Sequence, residues 1–194
     1  MKYISYVREH FKDPGFPVVR LYEIRTVLKL KGISDGYLKR MINYLLGKGE
    51  LKRITSGIYT LHDDIMVAGF AFQPFYYGLE SALTIRKLWE QGTNPVVMTT
   101  RKVRQGMRTF DNSNYLVKHV RRRLFFGYEL VRYYDFWIPV SDIEKTLIDL
   151  VYFGRHVRAD VIAQLKRDAD RARLRKYLEA YNQSIRDKVW ELMK

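Results

Sequence analysis

Residues 21–61, LYEIRTVLKLKGISDGYLKRMINYLLGKGELKRITSGIYTL, leave the first part of this chain little freedom. Leu21, Ile24 and Leu28 recur at spacings of three and four, the pattern of a helix with one buried side. Lys31-Gly32 offers that helix an end, and Ser34 offers the next one an N-cap. In the second helix Leu38, Met41, Ile42 and Leu45 form the apolar side, and Gly47 and Gly49 terminate it. Two β-prone runs follow, ELKRI and IYTL. Thr55-Ser56-Gly57 joins them, and Gly57 can take the positive φ of a tight turn. Helix, turn, helix, hairpin is the order of a winged helix-turn-helix. Ahead of it, Ile4, Val7 and Phe11 predict a short amphipathic helix over residues 2–12, stopped by Asp13-Pro14-Gly15 and Pro17.

Charge points the same way. Lys plus Arg number 35 against 21 for Asp plus Glu, a net charge of +14. Such an excess fits an acidic partner, of which nucleic acid is the commonest. A merely soluble basic protein, or one with the charge-rich surface of a heat-adapted source, is the plainer alternative. With 47% hydrophobic residues the chain can bury a core. It has no cysteine, which excludes disulfides, thiolate metal sites and cysteine nucleophiles. The four histidines are scattered, with no metal-ligand spacing, so no metal site is expected. No apolar run approaches the ~18 residues that span a bilayer. The opening MKYISYVREHF lacks the apolar core of a signal peptide. A cytoplasmic protein without membrane contact is the expectation.

A helix that reads the major groove buries one side in its own domain and turns polar groups outward. Residues 34–47 have that division. Arg40 suits the acceptor edge of guanine and Asn43 suits adenine. Ser34, Tyr37 and Lys39 suit phosphates, and Lys52, Arg53, Thr55 and Ser56 would present the wing to the flanking backbone. Any surface helix is polar outside, so the order of elements carries more weight than the charges. Winged helices also serve as protein-interaction modules.

Beyond His62-Asp63-Asp64, read as a solvated linker, the pattern changes and a second domain is expected. The predicted division is 1–64 for the winged helix and 65–194 for a mixed α/β domain with a helical C-terminal tail, an α+β protein in all. Residues 76–91 read as a helix ending at Gly92. Residues 95–100 and 115–120 read as strands, and residues 124–140 as one or two strands. Residues 141–153 return to helical spacing. Ser141 is the predicted cap, with Glu144 reaching back, and Lys145 and Asp149 form a surface pair. Three charged amphipathic helices are expected over 158–168, 170–181 and 183–193.

Catalytic signatures are lacking: no phosphate-cradling glycine loop, no G-x-S-x-G and no H-E-x-x-H. Gly57-Ile58-Tyr59 with Tyr76-Tyr77-Gly78 resembles the GIY-YIG nuclease motif, but the second triplet reads YYG. GIY also fits the second strand of a wing, with Ile58 packed inward.

Two further segments, YGLESALTIRKL at 77–88 and IPVSDIEKTLID at 138–149, follow the winged helix. Together the three resemble the AbiEi-type antitoxins, the regulatory half of a type IV toxin–antitoxin pair, over roughly residues 20–155. The matching residues are Ser81, Ala82, Leu83, Glu144, Lys145, Thr146, Leu147 and Asp149. The resemblance implies a transcriptional autorepressor without enzymatic activity or cofactor. It would bind inverted repeats in its own promoter, as a monomer or weak dimer that pairs on DNA. It would also neutralise a nucleotidyltransferase-type toxin. Packing and capping alone can explain most of those residues.

Two basic runs lie in the second domain: Arg101, Lys102, Arg104 and Arg108 around a loop, and Lys118, Arg121, Arg122 and Arg123 after a strand. They are candidates for a partner or nucleic-acid surface. The alternative function is a winged-helix regulator whose second domain senses a ligand or mediates dimerisation. The aromatic stretch 124–138 would line its pocket.

Overall fold

A computed structural model describes residues 2–11 and 17–194. The predicted helix stop at Asp13-Pro14-Gly15 lies outside them. Helix α1 (Lys2–Phe11) precedes β1 (Val19–Arg20), α2 (Leu21–Lys29), α3 (Asp35–Gly47) and the hairpin β2 (Lys52–Thr55) and β3 (Ile58–Thr60). Strands β1, β3 and β2 form a three-stranded antiparallel sheet in that order, and with the helices they make a winged helix. The predicted apolar faces meet: Ile4, Val7, Ile24, Leu28, Met41 and Leu45 are among the residues of one closed core. Each large side chain buried there contributes about 1.5–3 kcal/mol. Ser34 caps α3 as expected, its hydroxyl accepting from Tyr37 N at 3.3 Å. Gly57 takes φ +73 in the wing turn, and its carbonyl accepts from Leu21 N at 2.8 Å.

The second part is built on a six-stranded sheet of order β6-β7-β5-β4-β9-β8. Its strands are β4 (Phe75–Tyr77), β5 (Val96–Thr99), β6 (Gly106–Phe110), β7 (Ser113–His119), β8 (Tyr128–Tyr133) and β9 (Phe136–Ser141). Pairs β5/β7 and β4/β9 are parallel, the others antiparallel. One face packs on a 3-10 helix, Ile65–Phe72, to form a core that includes Tyr77, Val97, Val117 and Ile138. The other face carries α5 (Ile143–Tyr152), with α6 (Ala159–Asp168), α7 (Arg171–Leu178) and α8 (Gln183–Leu192) packed beyond it. The three tail helices follow the predicted pattern closely.

Three expectations need correction. Residues 76–91 are not one helix. Phe75–Tyr77 form the central strand β4, and only Glu80–Ile85 form a short helix, α4. Phe75, Tyr76 and Tyr77 are all buried, because β4 is covered on both faces and takes an unbroken apolar run. The cap of α5 is Asp142, not Ser141: its carboxylate accepts from Lys145 N at 2.7 Å while Ser141 still belongs to β9. The Lys145–Asp149 pair lies in the interior, not on the surface.

The segment after the wing has no regular structure and leaves Asp63 exposed, as expected of a solvated linker, but it is tied down at each residue. Asp63 pairs with Lys52, Asp64 caps the 3-10 helix by accepting from Met66 N at 2.7 Å, and His62 packs edge-on against Phe136. Among the described residues no helix is long and apolar enough to cross a membrane.

Candidate nucleic-acid interface

The hydrophobic face of α3 takes Leu38, Met41, Ile42 and Leu45 into the core. The helical repeat then places Gly36, Lys39, Arg40, Asn43, Tyr44 and Gly47 on the opposite side, and all six are exposed. Among the described residues nothing comes within van der Waals reach of a Cβ placed on Gly36 or Gly47, so this side of the helix is bare backbone at both ends. Of the predicted phosphate contacts, Ser34 is exposed but engaged as the cap. Tyr37 is half-buried, edge-on to Tyr3 at 5.8 Å.

Sequence reading missed Arg25. It reaches from α2 to Asp35 at the start of α3, at 3.1 Å. A groove of about 390 Å³ lies between α2, α3 and β3, and Arg25, Lys39, Asn43 and Tyr59 line it. The groove thus brings a cation from the first helix beside two predicted contacts of the second. Its sequence signal was the position of Arg25 one turn after Leu21, at the margin of the apolar stripe of α2.

The wing is short and tucked in. Ile54 and Ile58 turn toward the second core, leaving Arg53 and Ser56 exposed and Thr55 half-buried. Gly57-Ile58-Tyr59 therefore forms the wing turn and β3. Tyr76-Tyr77-Gly78 runs through β4 of the other sheet. Lys52 is committed elsewhere. Its ammonium pairs with Asp63 at 2.7 Å and with Asp111, which sits in the β6–β7 turn. Hydrogen bonds to the two carboxylates hold its pKa above the ordinary lysine value.

The two basic runs of the second domain come together at one end of the sheet. Strands β5 and β7 are parallel, with Thr99 level with His119, so the segments 100–104 and 120–123 both leave from the same edge. Val120 N donates to Thr99 O at 2.8 Å, and His119 N to Gln105 Oε1 at 3.0 Å, tying the two segments together. Lys102, Arg104, Arg121, Arg122 and Arg123 are exposed there. Arg101 donates to Ala71 O at 2.9 Å, Arg108 lies 5.0 Å from the Phe72 ring, and Lys118 lies 5.0 Å from that of Phe153.

The segment Glu144–Asp149 is a fastener. Lys145 is wholly buried, bonded to Asp149 and to Tyr181 Oη at 2.9 Å, with the rings of Tyr76, Phe126 and Tyr181 within 5.7 Å of its ammonium. Tyr76 Oη donates to Asp149 at 2.7 Å, and Tyr177 Oη to Asp142 at 2.8 Å. Burial pushes the Lys145 ammonium below the usual lysine range and the Asp149 carboxyl above the usual carboxylate range. Each charge opposes the other's shift. Glu144 accepts from Asp170 N at 2.6 Å at the head of α7. These side chains bind β4, α5 and the tail into one block. Among the described residues no group of three or more His, Asp or Glu is placed to hold a metal.

Fold and surface define a class: an α+β protein with an N-terminal winged helix, a six-stranded mixed sheet and a helical tail. No protein-family model matches this chain, and no curated protein does. Among solved structures the chain is similar to the RV2827C protein of Mycobacterium tuberculosis. The TM-score is 0.66 at 15% identity, over 98% of this chain and 75% of that one. At that identity the likeness speaks for the fold.

Proposed function

We propose that this chain is a DNA-binding antitoxin that represses its own operon. The observation that carries the DNA-binding half is the outward side of α3, where Arg40 and Asn43 stand free between two bare glycines on a helix whose other side is sunk in its own core. A helix so disposed fits the major groove, with Arg40 and Asn43 at base edges. Lys39, Arg25, Arg53 and Ser56 are then the backbone contacts, with Ser34 and Tyr37 at the start of the helix. Lys52 acts through the carboxylates it bridges, not through phosphate. Two copies on an inverted repeat would block the promoter.

The antitoxin half rests on the resemblance of the SAL and EKTLID segments, now read as the framework of the second domain. Its basic end, Arg101 to Arg104 and Arg121 to Arg123, is the surface offered to a nucleotidyltransferase-type toxin. A gel shift with the chain's own upstream region tests the first half. Retarded cognate duplex, lost with Arg40→Ala, supports it, and equal binding to random duplex contradicts it. Co-expression with a neighbouring nucleotidyltransferase gene tests the second half. Continued toxicity contradicts it.

One observation favours a ligand-sensing regulator as the second reading. A cavity of about 500 Å³ opens between the 3-10 helix, α4 and the β8–β9 hairpin, lined by Met66, Ile85, Lys87, Arg132 and Tyr134 among others. A regulator of this kind would release DNA when a small molecule fills that cavity, whereas an antitoxin would not.

A further inference from the structure

The helical layer does not cover the whole sheet. On the face that α5 protects, Tyr76 and Met98 are fully buried. Strands β8 and β9 continue that face, and there the alternation brings Tyr128, Leu130, Trp137 and Pro139 to one side. Leu130 is 65% exposed, Trp137 56% and Tyr128 41%. A groove of about 570 Å³ runs along them. Tyr128 is fixed in place by stacking on Tyr76, with centroids 5.5 Å apart and planes 10° from parallel.

The side chains lining this groove include one cation and no acid: Arg20, held to Gln73 at 2.9 Å and paired with Glu23 at 3.4 Å. Arg132 stands opposite Trp137 in the strand register. Tyr77 is level with Val140 in the parallel pair β4/β9, so Pro74 comes level with Trp137. Thr99 Oγ1 in turn donates to Pro74 O at 2.9 Å, two residues before the basic loop that begins at Arg101. Arg20 and Arg132 therefore stand at the Trp137 end, with Asp135 in the adjoining turn, and planar rings continue toward Tyr128.

We propose that the bare β8–β9 end of the sheet, with Trp137 and Tyr128 on its surface and Arg20 and Arg132 beside it, is a binding site for single-stranded nucleic acid. Exposed rings on a sheet offer a stacking platform that any unpaired base can use, and neighbouring arginines take the phosphates. A duplex hides its base faces and cannot use such a platform. A second copy of the chain would bring another +14 to the same place. The site shares no residue with the exposed side of α3 and stands apart from that reading.

The test uses the full chain with fluorescein-labelled oligothymidylate and oligouridylate, read by anisotropy and by tryptophan emission. Trp89 and Trp190 are partly buried against the helical core, so quenching on binding reports Trp137. Expected are salt-dependent binding with quenching and a tenfold or greater loss of affinity in Trp137→Ala. Retention in Trp137→Phe and a several-fold loss in Arg132→Ala are also expected. Thermal melting of each variant separates lost binding from lost folding. Absence of quenching, or binding that survives Trp137→Ala but falls with Arg40→Ala, overturns the proposal. So does displacement of the oligonucleotide by a duplex of equal length. Oligonucleotide indifference to every β8–β9 variant also overturns it and leaves the surface to a protein partner.

Discussion

Lys145 and Asp149 stand one turn apart on α5 and pair with 0% and 1% of their side chains exposed. Lys145 also donates to Tyr181, and Asp149 accepts from Tyr76, so the pair joins α5 to the sheet on one side and to the tail on the other. Removing one member of such a pair leaves an unmatched charge in the interior, which costs about 3–5 kcal/mol. Lys145→Ala and Asp149→Ala should each lower stability by that much in urea unfolding. The double substitution Lys145→Met with Asp149→Leu should recover most of the loss. Equal instability of the double and single variants would show that the pair is not what holds this region.

Gly127 should tolerate no side chain. It has φ +69, and a Cβ there would fall 2.8 Å from the Tyr177 ring and 2.9 Å from Lys145 Cβ. Its carbonyl also receives Asp142 N at 2.9 Å, so it cannot move away freely. Gly127→Ala is expected to cost about 1–3 kcal/mol, read as a drop in Tm with loosened packing around Tyr177. An unchanged Tm would contradict this account.

The glycines of α3 should behave in the opposite way. Gly36 and Gly47 have open space around an added Cβ and no left-handed φ. Gly36→Ala should therefore stabilise the helix by about 0.5–1 kcal/mol. On the proposed DNA site, a bulky Gly36→Phe should block close approach and abolish cognate binding without unfolding the domain. Arg40→Ala and Asn43→Ala should each cost about 1–3 kcal/mol on the cognate duplex and relax specificity. Full affinity in Gly36→Phe would remove α3 from the groove.

Lys52 should respond to pH in one direction. The hydrogen bonds it donates to Asp111 and Asp63 raise its pKa above the ordinary 10.5. A base whose folded pKa is raised contributes fully below its unfolded value and loses that contribution as pH climbs through the folded one. The strap between wing and sheet should thus hold at neutral and mildly alkaline pH and loosen above about 10.5. High salt should loosen it too. Hydrogen exchange in β2 and in the β6–β7 turn, compared between wild type and Lys52→Ala, measures this. Arg53→Ala, which leaves the strap intact, should leave exchange unchanged.

The winged helix was legible because each of its elements carries its own signal: period, cap and turn residue all lie within a few positions of each other. Local chemistry also fixed Gly57 and Ser34. What failed depended on distant chain. The spacing of Lys145 and Asp149 suggests a surface pair until α7 and α8 lie over it. Tyr76 and Tyr77 look like the start of a helix until strands flank them on both sides. The gathering of Arg101 to Arg104 with Arg121 to Arg123 follows from a parallel pairing of β5 and β7, which no short window records. Trp137 and Leu130 sit in a stretch whose composition reads as interior, and only the extent of the helical layer leaves them bare.

The wing belongs to both halves of the molecule. Tyr59 is anchored in the first core, while Ile54, one strand away, is anchored in the second. A cut after Asp64 would strip Ile54 and Ile58 of their neighbours on one fragment and unroof the 3-10 helix on the other. Neither fragment is then a fair stand-in for its half. The hairpin is packed on both sides, so the core of the sheet and the core that seats α3 meet through protein and not through solvent.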